Sequence, residues 1–205
     1  MKKLVIISIF GFFVCSMFAQ HKINVQNGAR TEFFDDLETA IGQAVSGDTI
    51  YLPGRAFQVQ SDIVIDKQLV IIGAGWDVDS IGGLQTTEIK IGSDYATINF
   101  RNGSDGSLLM GCIVGTIQFG HRDDFDVYQQ DIRNVTIWRN MITGAIVASS
   151  WTNNQIRQIR ISENLITGRD GSFSVRVFGA YDCIINNNHL FTFYICRVDR
   201  NCFKA

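Results

Sequence analysis

Hydrophobic and polar residues alternate along most of the chain, a pattern that predicts a protein built almost entirely of short β-strands. Turn-forming residues separate the strand-like runs, as at Pro53-Gly54, Asp66-Lys67 and Gly73-Ala74-Gly75. In the first half of the chain, the predicted strands occupy residues 49–52, 57–59, 63–65, 69–72, 88–91 and 96–100. This pattern indicates an all-β fold class.

One segment, between Thr31 and Asp48, instead has the apolar spacing of a helix. Intervals of three and four residues place one apolar stripe on a single helix face, and the stripe consists of Leu37, Ala40, Ile41 and Ala44. Asp35 is the predicted N-cap, Glu38 is predicted to complete a capping box, and Gly47 is predicted to end the helix. A short amphipathic helix thus precedes the strands, and no second helix is predicted.

A repeat of 24 residues indicates which kind of β protein this is. Three segments, 135–144, 159–168 and 183–190, share their apolar positions and carry an asparagine in register, at Asn140, Asn164 and Asn188. A looser copy, 28 residues before the first, contains Leu109, Cys112 and Val114. A propeller blade needs about 40 residues, and a leucine-rich repeat would show regularly spaced leucines. Three short strands and their bends fit one turn of a parallel β-helix, so we predict a solenoid of about six coils.

The alternation of apolar and polar residues in the repeat predicts which side chains face the interior of the coil and which face solvent. Val135, Ile137 and Ile142 alternate with polar residues, so they and their copies are predicted to face inward. Each repeated asparagine lies between two strands, where we expect it to adopt the left-handed conformation of a tight bend. Stacked coils would also let each side-chain amide bond to its neighbours. We therefore interpret Asn140, Asn164 and Asn188 as a structural ladder.

The N-terminal part of the chain resembles a known family. It contains Phe34-x-x-Leu37-x-x-Ala40-Ile41-x-x-Ala44, then Gly47-Asp48-Thr49-Ile50-x-Leu52-Pro53, then Ile65-x-Lys67-x-Leu69-x-Ile71-x-Gly73. These segments resemble the opening of pectin-lyase-like proteins, and the likeness covers roughly residues 23 to 192. The resemblance implies a right-handed parallel β-helix with an N-terminal capping α-helix. It implies no single activity, because the superfamily includes lyases, hydrolases, esterases, adhesins and inert surface proteins.

The first 19 residues have the pattern of a secretory signal peptide. Lys2 and Lys3 precede an apolar run that is too short for a comfortable membrane span. We expect cleavage after Ala19, in an ending that resembles export signals of Bacteroidota-type bacteria. Residues 20–205 then form the β-helix domain, located outside the cell, on its outer surface or in the periplasm. An alternative lipoprotein signal would use Cys15, but the small residue expected just before it is missing.

The charge and composition of the chain argue against some classes of binding partner. The net charge of -2 gives no electrostatic reason to expect nucleic acid, and no transmembrane segment is predicted after signal cleavage. Cys112 and Cys183 lie at predicted inward positions and are expected to pack as small hydrophobic residues. Cys196 and Cys202 are candidates for a disulfide, but the spacing of the cysteines does not fix their pairing.

The densest set of reactive groups follows Gly120. Asp123, Asp124 and Asp126 are candidate calcium ligands, and with Arg122 or His121 they are candidate catalytic groups. The alternative is a solvated polar loop. The catalytic patterns of pectate lyases and polygalacturonase-type hydrolases are mostly missing from the chain. No cofactor other than calcium is therefore expected.

Four residues are candidates for binding a sugar. Arg133 and Arg157 are 24 residues apart, so we expect them to stack on adjacent coils, with Tyr181 on the next rung. Such a pair could hold an acidic sugar; otherwise the two side chains simply cover a sheet face. Trp138 and Trp151 are candidate stacking platforms, for which ordinary surface packing is the alternative.

The repeat stops after Phe193, which indicates a shortened β-helix, the N-terminal part of a longer surface protein, or a shifted reading frame. We expect an exported, non-catalytic β-helix of the cell surface that contacts polysaccharide or other glycans, or acts in adhesion. One alternative is a polysaccharide lyase or glycoside hydrolase that acts on acidic polysaccharide, with its cleft on the coil exterior near Asp123, Asp124 and Asp126. Another is a truncated remnant without a function of its own. Sequence does not indicate the oligomeric state.

Overall fold

The computed structural model describes residues 22–77, 85–120, 131–149, 155–168, 175–178 and 180–190. Within these ranges the chain is predominantly β, with parallel sheets and one helix. The N-terminal elements are β1 (Ile23–Asn27), β2 (Arg30–Phe34), α1 (Leu37–Gln43), β3 (Asp48–Tyr51), β4 (Ala56–Gln58), β5 (Ile63–Ile65), β6 (Leu69–Ile72), β7 (Thr87–Ile91), β8 (Asp94–Tyr95) and β9 (Ile98–Phe100). The prediction that strands dominate the fold is therefore confirmed.

The second half of the described chain consists of thirteen short strands. They are β10 (Leu108–Met110), β11 (Cys112–Val114), β12 (Ile117–Phe119), β13 (Asp131–Arg133), β14 (Thr136–Trp138), β15 (Met141–Ile142), β16 (Ile146–Ser149), β17 (Gln155–Arg157), β18 (Arg160–Ser162), β19 (Leu165–Ile166), β20 (Val175–Phe178), β21 (Ile184–Asn186) and β22 (His189–Leu190).

The helix α1 is shorter than the sequence predicts, and its cap is different. Asp36, not Asp35, is the N-cap, because its side chain accepts a hydrogen bond from the backbone N–H of Thr39 at 2.6 Å. Asp35 instead pairs with Lys22 at 2.5 Å. The predicted capping box is also wrong, since the Glu38 carboxylate accepts hydrogen bonds from the backbone N–H groups of residues 60 and 61.

The ends of the helical segment also differ from the prediction. Residues 31–34 belong to β2, which pairs antiparallel with β1, so the helix begins only at Leu37. It ends at Gln43 with Ala44 as its C-cap, before Gly47 is reached. The apolar stripe is confirmed, because Leu37, Ala40, Ile41 and Ala44 are all buried.

Three sheets contain most of the strands. Sheet A has the order β2-β1-β3-β6-β10-β14-β18-β21, sheet B has the order β22-β19-β15-β11-β7-β4, and sheet C has the order β20-β16-β12-β9-β5. Neighbours are parallel except where β1 pairs with β2 and β3 and where β8 pairs with β7. A small sheet D consists of β13 and β17.

The chain passes through the sheets in the same order each time. From β10 it continues to β11 in sheet B and β12 in sheet C, and it then returns to sheet A at β14. In sheet A, Thr136 lies opposite Arg160 and Arg160 lies opposite Ile184. The 24-residue interval is therefore one passage through the sheets, an arrangement compatible with a β-helix solenoid.

The core consists of aliphatic side chains stacked in register across sheet A. Ile50, Ile71, Leu109, Ile137, Ile161 and Ile185 lie opposite one another in successive strands, and all are buried. In sheet C the rings of Phe100 and Phe119 stack with centroids 5.4 Å apart. Burial of each such side chain stabilises the fold by about 2 kcal/mol. The predicted inward residues Val135, Ile137 and Ile142 are completely buried.

The left-handed residue at each bend between sheets A and B is not the repeated asparagine. It is the residue immediately before it: Arg139, Glu163 and Asn187 have φ values of 53°, 56° and 53°. The expectation for Asn140, Asn164 and Asn188 was therefore wrong by one position. The left-handed residues are exposed, whereas Asn140 and Asn164 are buried, so the bend turns the asparagine amide toward the interior.

The buried asparagine amides join successive repeats through hydrogen bonds. The Asn164 Oδ1 accepts from the backbone N–H of Asn140 at 2.9 Å, and the Asn188 Oδ1 accepts from that of Asn164 at 3.0 Å. Each Nδ2 donates to carbonyl oxygens of two neighbouring strands; that of Asn164 donates to Ser162 and Ile137, both at 3.0 Å. One amide thus satisfies backbone groups that the bend removes from strand pairing.

The ladder yields a stability prediction for Asn164→Ala. The substitution leaves a buried N–H and two carbonyl groups without their amide partner, so we expect the free energy of unfolding to fall by about 2–3 kcal/mol. The measurement is urea unfolding followed by circular dichroism. Asn187→Gly is the matched control, because this exposed residue has a positive φ that glycine adopts freely. Equal losses in the two variants would contradict a structural role for the buried amide.

Candidate functional site

The acidic loop lies outside the described residues. This applies to His121, Arg122, Asp123, Asp124 and Asp126, so their assignment as calcium ligands or catalytic groups stays a prediction. Trp151, Cys196 and Cys202 also fall outside the described ranges. Among the residues that are described, no group of three or more His, Cys, Asp or Glu side chains could hold a metal ion. In the same ranges, no helix is long and apolar enough to cross a membrane.

Arg133 and Arg157 lie opposite each other on β13 and β17, as their spacing predicts. Tyr181 occupies the next rung through a parallel bridge to Arg157. Neighbouring rungs of a parallel sheet are about 4.8 Å apart. The intervening Ile132 and Ile156 are completely buried, so the alternating residues on both strands face outward. We call the outward set Asp131, Arg133, Arg157 and Tyr181 the arginine–tyrosine row.

Asp131 holds the two guanidinium groups together. Its carboxylate accepts hydrogen bonds from the Nε and Nη2 of Arg133, the former at 2.7 Å, and lies 3.7 Å from the Arg157 Nη2. The hydrogen bond from Arg133 is the main reason why the pKa of Asp131 is below its usual value of 3.8. Within the row two guanidinium groups thus lie beside one carboxylate, and the Asp105 carboxylate, which accepts from the Arg133 backbone N–H at 2.9 Å, lies next to them.

The row is accessible to solvent. The side chains of Arg133 and Arg157 are 41% and 34% exposed, and Tyr181 is 44% exposed. Ion pairs at such exposure contribute little to stability, because water and salt screen them. The row can therefore exchange part of its internal contacts for contacts with an anionic ligand.

Trp138 lies on the outer side of sheet A and is half-buried. The guanidinium carbon of Arg139 lies 4.6 Å from the centroid of its ring, a cation–π contact. The same Arg139 donates its Nε–H to the Glu163 carboxylate at 2.7 Å, and this bond is the main cause of a lowered Glu163 pKa. Since Arg139 covers part of the Trp138 ring, a sugar could use that area only by displacing the guanidinium group.

Cys112 and Cys183 are both present as buried thiols, as the repeat predicts. Cys112 occupies the position of the repeated asparagine, and its backbone N–H donates to the Asn140 Oδ1 at 3.1 Å. Burial raises the pKa of its thiol from 9.0 to about 12. Because the thiolate is the reactive form of cysteine, this residue is suited to packing rather than to redox or nucleophilic chemistry.

The sequence did not predict a cleft between β8 and the turns that connect sheets B and C. Its volume is about 410 Å³, and Asp94 and Tyr95 lie on one side of it. Segments 115–116 and 143–145 lie on the other side. Strands β7 and β8 form an antiparallel hairpin with a turn at Gly92 and Ser93. The sequence signal was this glycine-containing turn between two strand-like runs, which is typical of a hairpin.

The pKa of Cys112 predicts a pH-dependent loss of stability. Between pH 9.0 and about 12, the folded protein keeps this proton while the unfolded chain loses it. The free energy of unfolding should therefore fall as pH rises through this window, by up to about 1.4 kcal/mol per pH unit. Urea unfolding at several pH values above 8 should show this slope in the natural chain. The slope should be smaller in Cys112→Ala, and identical slopes would contradict the prediction.

No protein-family model, no curated protein and no solved structure matches the chain.

Proposed function

We propose that this protein is an exported, non-catalytic right-handed parallel β-helix of the pectin-lyase-like type, and that its surface contacts acidic glycans. The repeated passage through sheets A, B and C supports the β-helix. The hydrogen-bonded asparagines at one bend support the same architecture, because they join equivalent positions of successive repeats. The signal-like segment at residues 1–19 supports export.

The observation that carries the proposed contact with glycans is the arginine–tyrosine row. Arg133, Arg157 and Tyr181 lie on consecutive rungs and are accessible to solvent. A guanidinium group binds a carboxylate through two parallel hydrogen bonds. A tyrosine ring offers an apolar surface to the C–H groups of a sugar and a hydroxyl group to its oxygens. The row thus combines the two recognition elements that a uronic acid requires.

Asp131 would tune the affinity of this surface. It shares the guanidinium groups with any bound carboxylate, so an incoming anion must compete with it. This competition favours a ligand with several carboxylates, such as a polyuronide, over a single uronic acid. A scaffold that binds a polymer weakly at many points fits a role in adhesion or surface attachment.

The row predicts a change in affinity in two directions. Binding of oligogalacturonate, measured by isothermal titration calorimetry, should weaken about tenfold in Arg157→Ala, because charge-assisted hydrogen bonds are lost. It should strengthen severalfold in Asp131→Asn, because the competing carboxylate is removed. Arg160→Ala is the matched control, since Arg160 is an exposed arginine on sheet A. Equal weakening in Arg157→Ala and Arg160→Ala would indicate general charge attraction and contradict the proposed row.

The non-catalytic part of the proposal has its own test. Incubation with polygalacturonate, with and without calcium, should give no ultraviolet-absorbing unsaturated product and no new reducing ends. Appearance of either product, and its loss in Asp124→Ala, would replace the proposal with a polysaccharide lyase or glycoside hydrolase.

A further inference from the structure

We propose that the free edge of strand β2 pairs antiparallel with β2 of a second copy of the chain, so that two molecules are joined through sheet A. Strand β2 is the terminal strand of sheet A, and within the described residues it pairs with β1 alone. The free side of an edge strand carries unpaired backbone N–H and C=O groups, which another extended strand can satisfy. This strand contributes nothing to the arginine–tyrosine row, so the proposal does not rest on the proposed function.

The geometry of the β1–β2 hairpin shows which backbone groups point to the free edge. Its two-residue loop, at positions 28–29, is closed by the pair Asn27 and Arg30. In hairpins of this kind the closing pair is hydrogen-bonded, and hydrogen-bonded pairs alternate with non-hydrogen-bonded pairs along the strands. Thr31 and Phe33 therefore direct their backbone groups away from β1. No loop or helix backbone group of the described residues bonds to either one.

The side chains at this edge are open to solvent. Phe33 is 65% exposed, the largest exposed fraction among the large hydrophobic side chains described. Native edge strands avoid pairing through prolines, bulges or repelling charges. Strand β2 contains no proline, and its register with β1 has no bulge. A second β2 would cover part of the Phe33 ring, and removing this apolar surface from water favours association.

Arg30 and Glu32 make a second copy the matching partner. Their side chains lie on one face of β2 and pair with each other at 2.9 Å, while they remain 41% and 43% exposed. Antiparallel pairing about a two-fold axis at Thr31 places Arg30 directly opposite the partner's Glu32, and the reverse contact forms at the same time. An axis at Glu32 would instead place like charges opposite each other, which is unfavourable. A strand of another sequence would lack this reciprocal match.

The expected dimer is weak. Pairing of this kind continues sheet A from the last strand of one molecule into that of the other. Strand β2 has five residues, so the shared edge is short and buries less surface than the roughly 1,200–2,000 Å² of a stable interface. Association should therefore be reversible and depend on protein concentration.

The test is sedimentation velocity of the full chain at concentrations up to about 200 μM, where a weak dimer is populated. The natural chain should show a reversible monomer–dimer equilibrium. Arg30→Glu and Glu32→Arg each bring four like charges to the edge, so each should weaken self-association at least about tenfold. An equimolar mixture of the two variants places opposite charges across the axis again and should dimerise at least as tightly as the natural chain. Circular dichroism should show that both variants fold, because the lost ion pair is exposed.

Two further variants test the backbone and the specificity of the charges. Thr31→Pro removes the N–H group at the proposed axis and should abolish dimerisation, since proline is tolerated on an edge strand but donates no hydrogen bond. Arg139→Glu is the matched control, because it reverses another exposed arginine that pairs with a glutamate, and it should leave dimerisation unchanged. The proposal is overturned if the natural chain is monomeric throughout, if the folded single variants associate as the natural chain does, or if their mixture stays monomeric.

Discussion

The backbone conformation at the bend between sheets A and B is energetically unfavourable, and the hydrogen bonds of the buried asparagine amide offset its cost. A left-handed non-glycine residue costs about 1–2 kcal/mol, and the turn removes neighbouring N–H and C=O groups from strand pairing. The amide of Asn164 compensates by accepting from the Asn140 N–H and donating to carbonyl groups on two strands. The strands on both sides of the bend then remain in register, which the aliphatic stack of the core requires.

Register has a direct consequence for the surface. Equivalent residues of successive repeats lie one strand spacing apart, so a side chain on one repeat contacts its counterpart on the next. The Arg139 guanidinium group pairs with the Glu163 carboxylate in this way at the bend, and Arg133 lies opposite Arg157 in sheet D. A chain of modest net charge therefore carries narrow rows of aligned charged and aromatic side chains on its surface. The proposed contact with a polymer follows from this geometry, because a polymer also repeats along one axis.

Much of the architecture could be predicted from periodicity, since burial on one strand face imposes it directly. The predicted strands and the 24-residue interval both correspond to observed pairings, as between Ile137 and Ile161. The sequence pattern did not distinguish between adjacent residues that suit the same structural role. Asp35 and Asp36 are equally good caps in sequence, and the contact of Asp35 with the distant Lys22 distinguishes them. The left-handed position was misassigned because the asparagine is retained for its amide, not for its backbone conformation.

The candidate site was less accessible to sequence reasoning than the fold. The spacing of Arg133 and Arg157 placed them together, but it could not show that Asp131 engages both. The cleft was missed because it depends on the Tyr95 backbone lying against Gly115, a contact between segments that share no repeated pattern. Pairwise approach of this kind is set by tertiary packing, and a single sequence carries no periodic signal for it.

The asparagine ladder also has a direction. Asn140 offers a backbone N–H that is accepted by the Asn164 side chain, and Asn164 offers one that is accepted by Asn188. Each repeat is thus completed by the repeat that follows it in the chain. Loss of one asparagine therefore removes an acceptor from the repeat before it and not from its own repeat. Without the Asn164 amide, the Asn140 N–H has lost its acceptor, whereas the Asn164 N–H still has the Asn188 Oδ1.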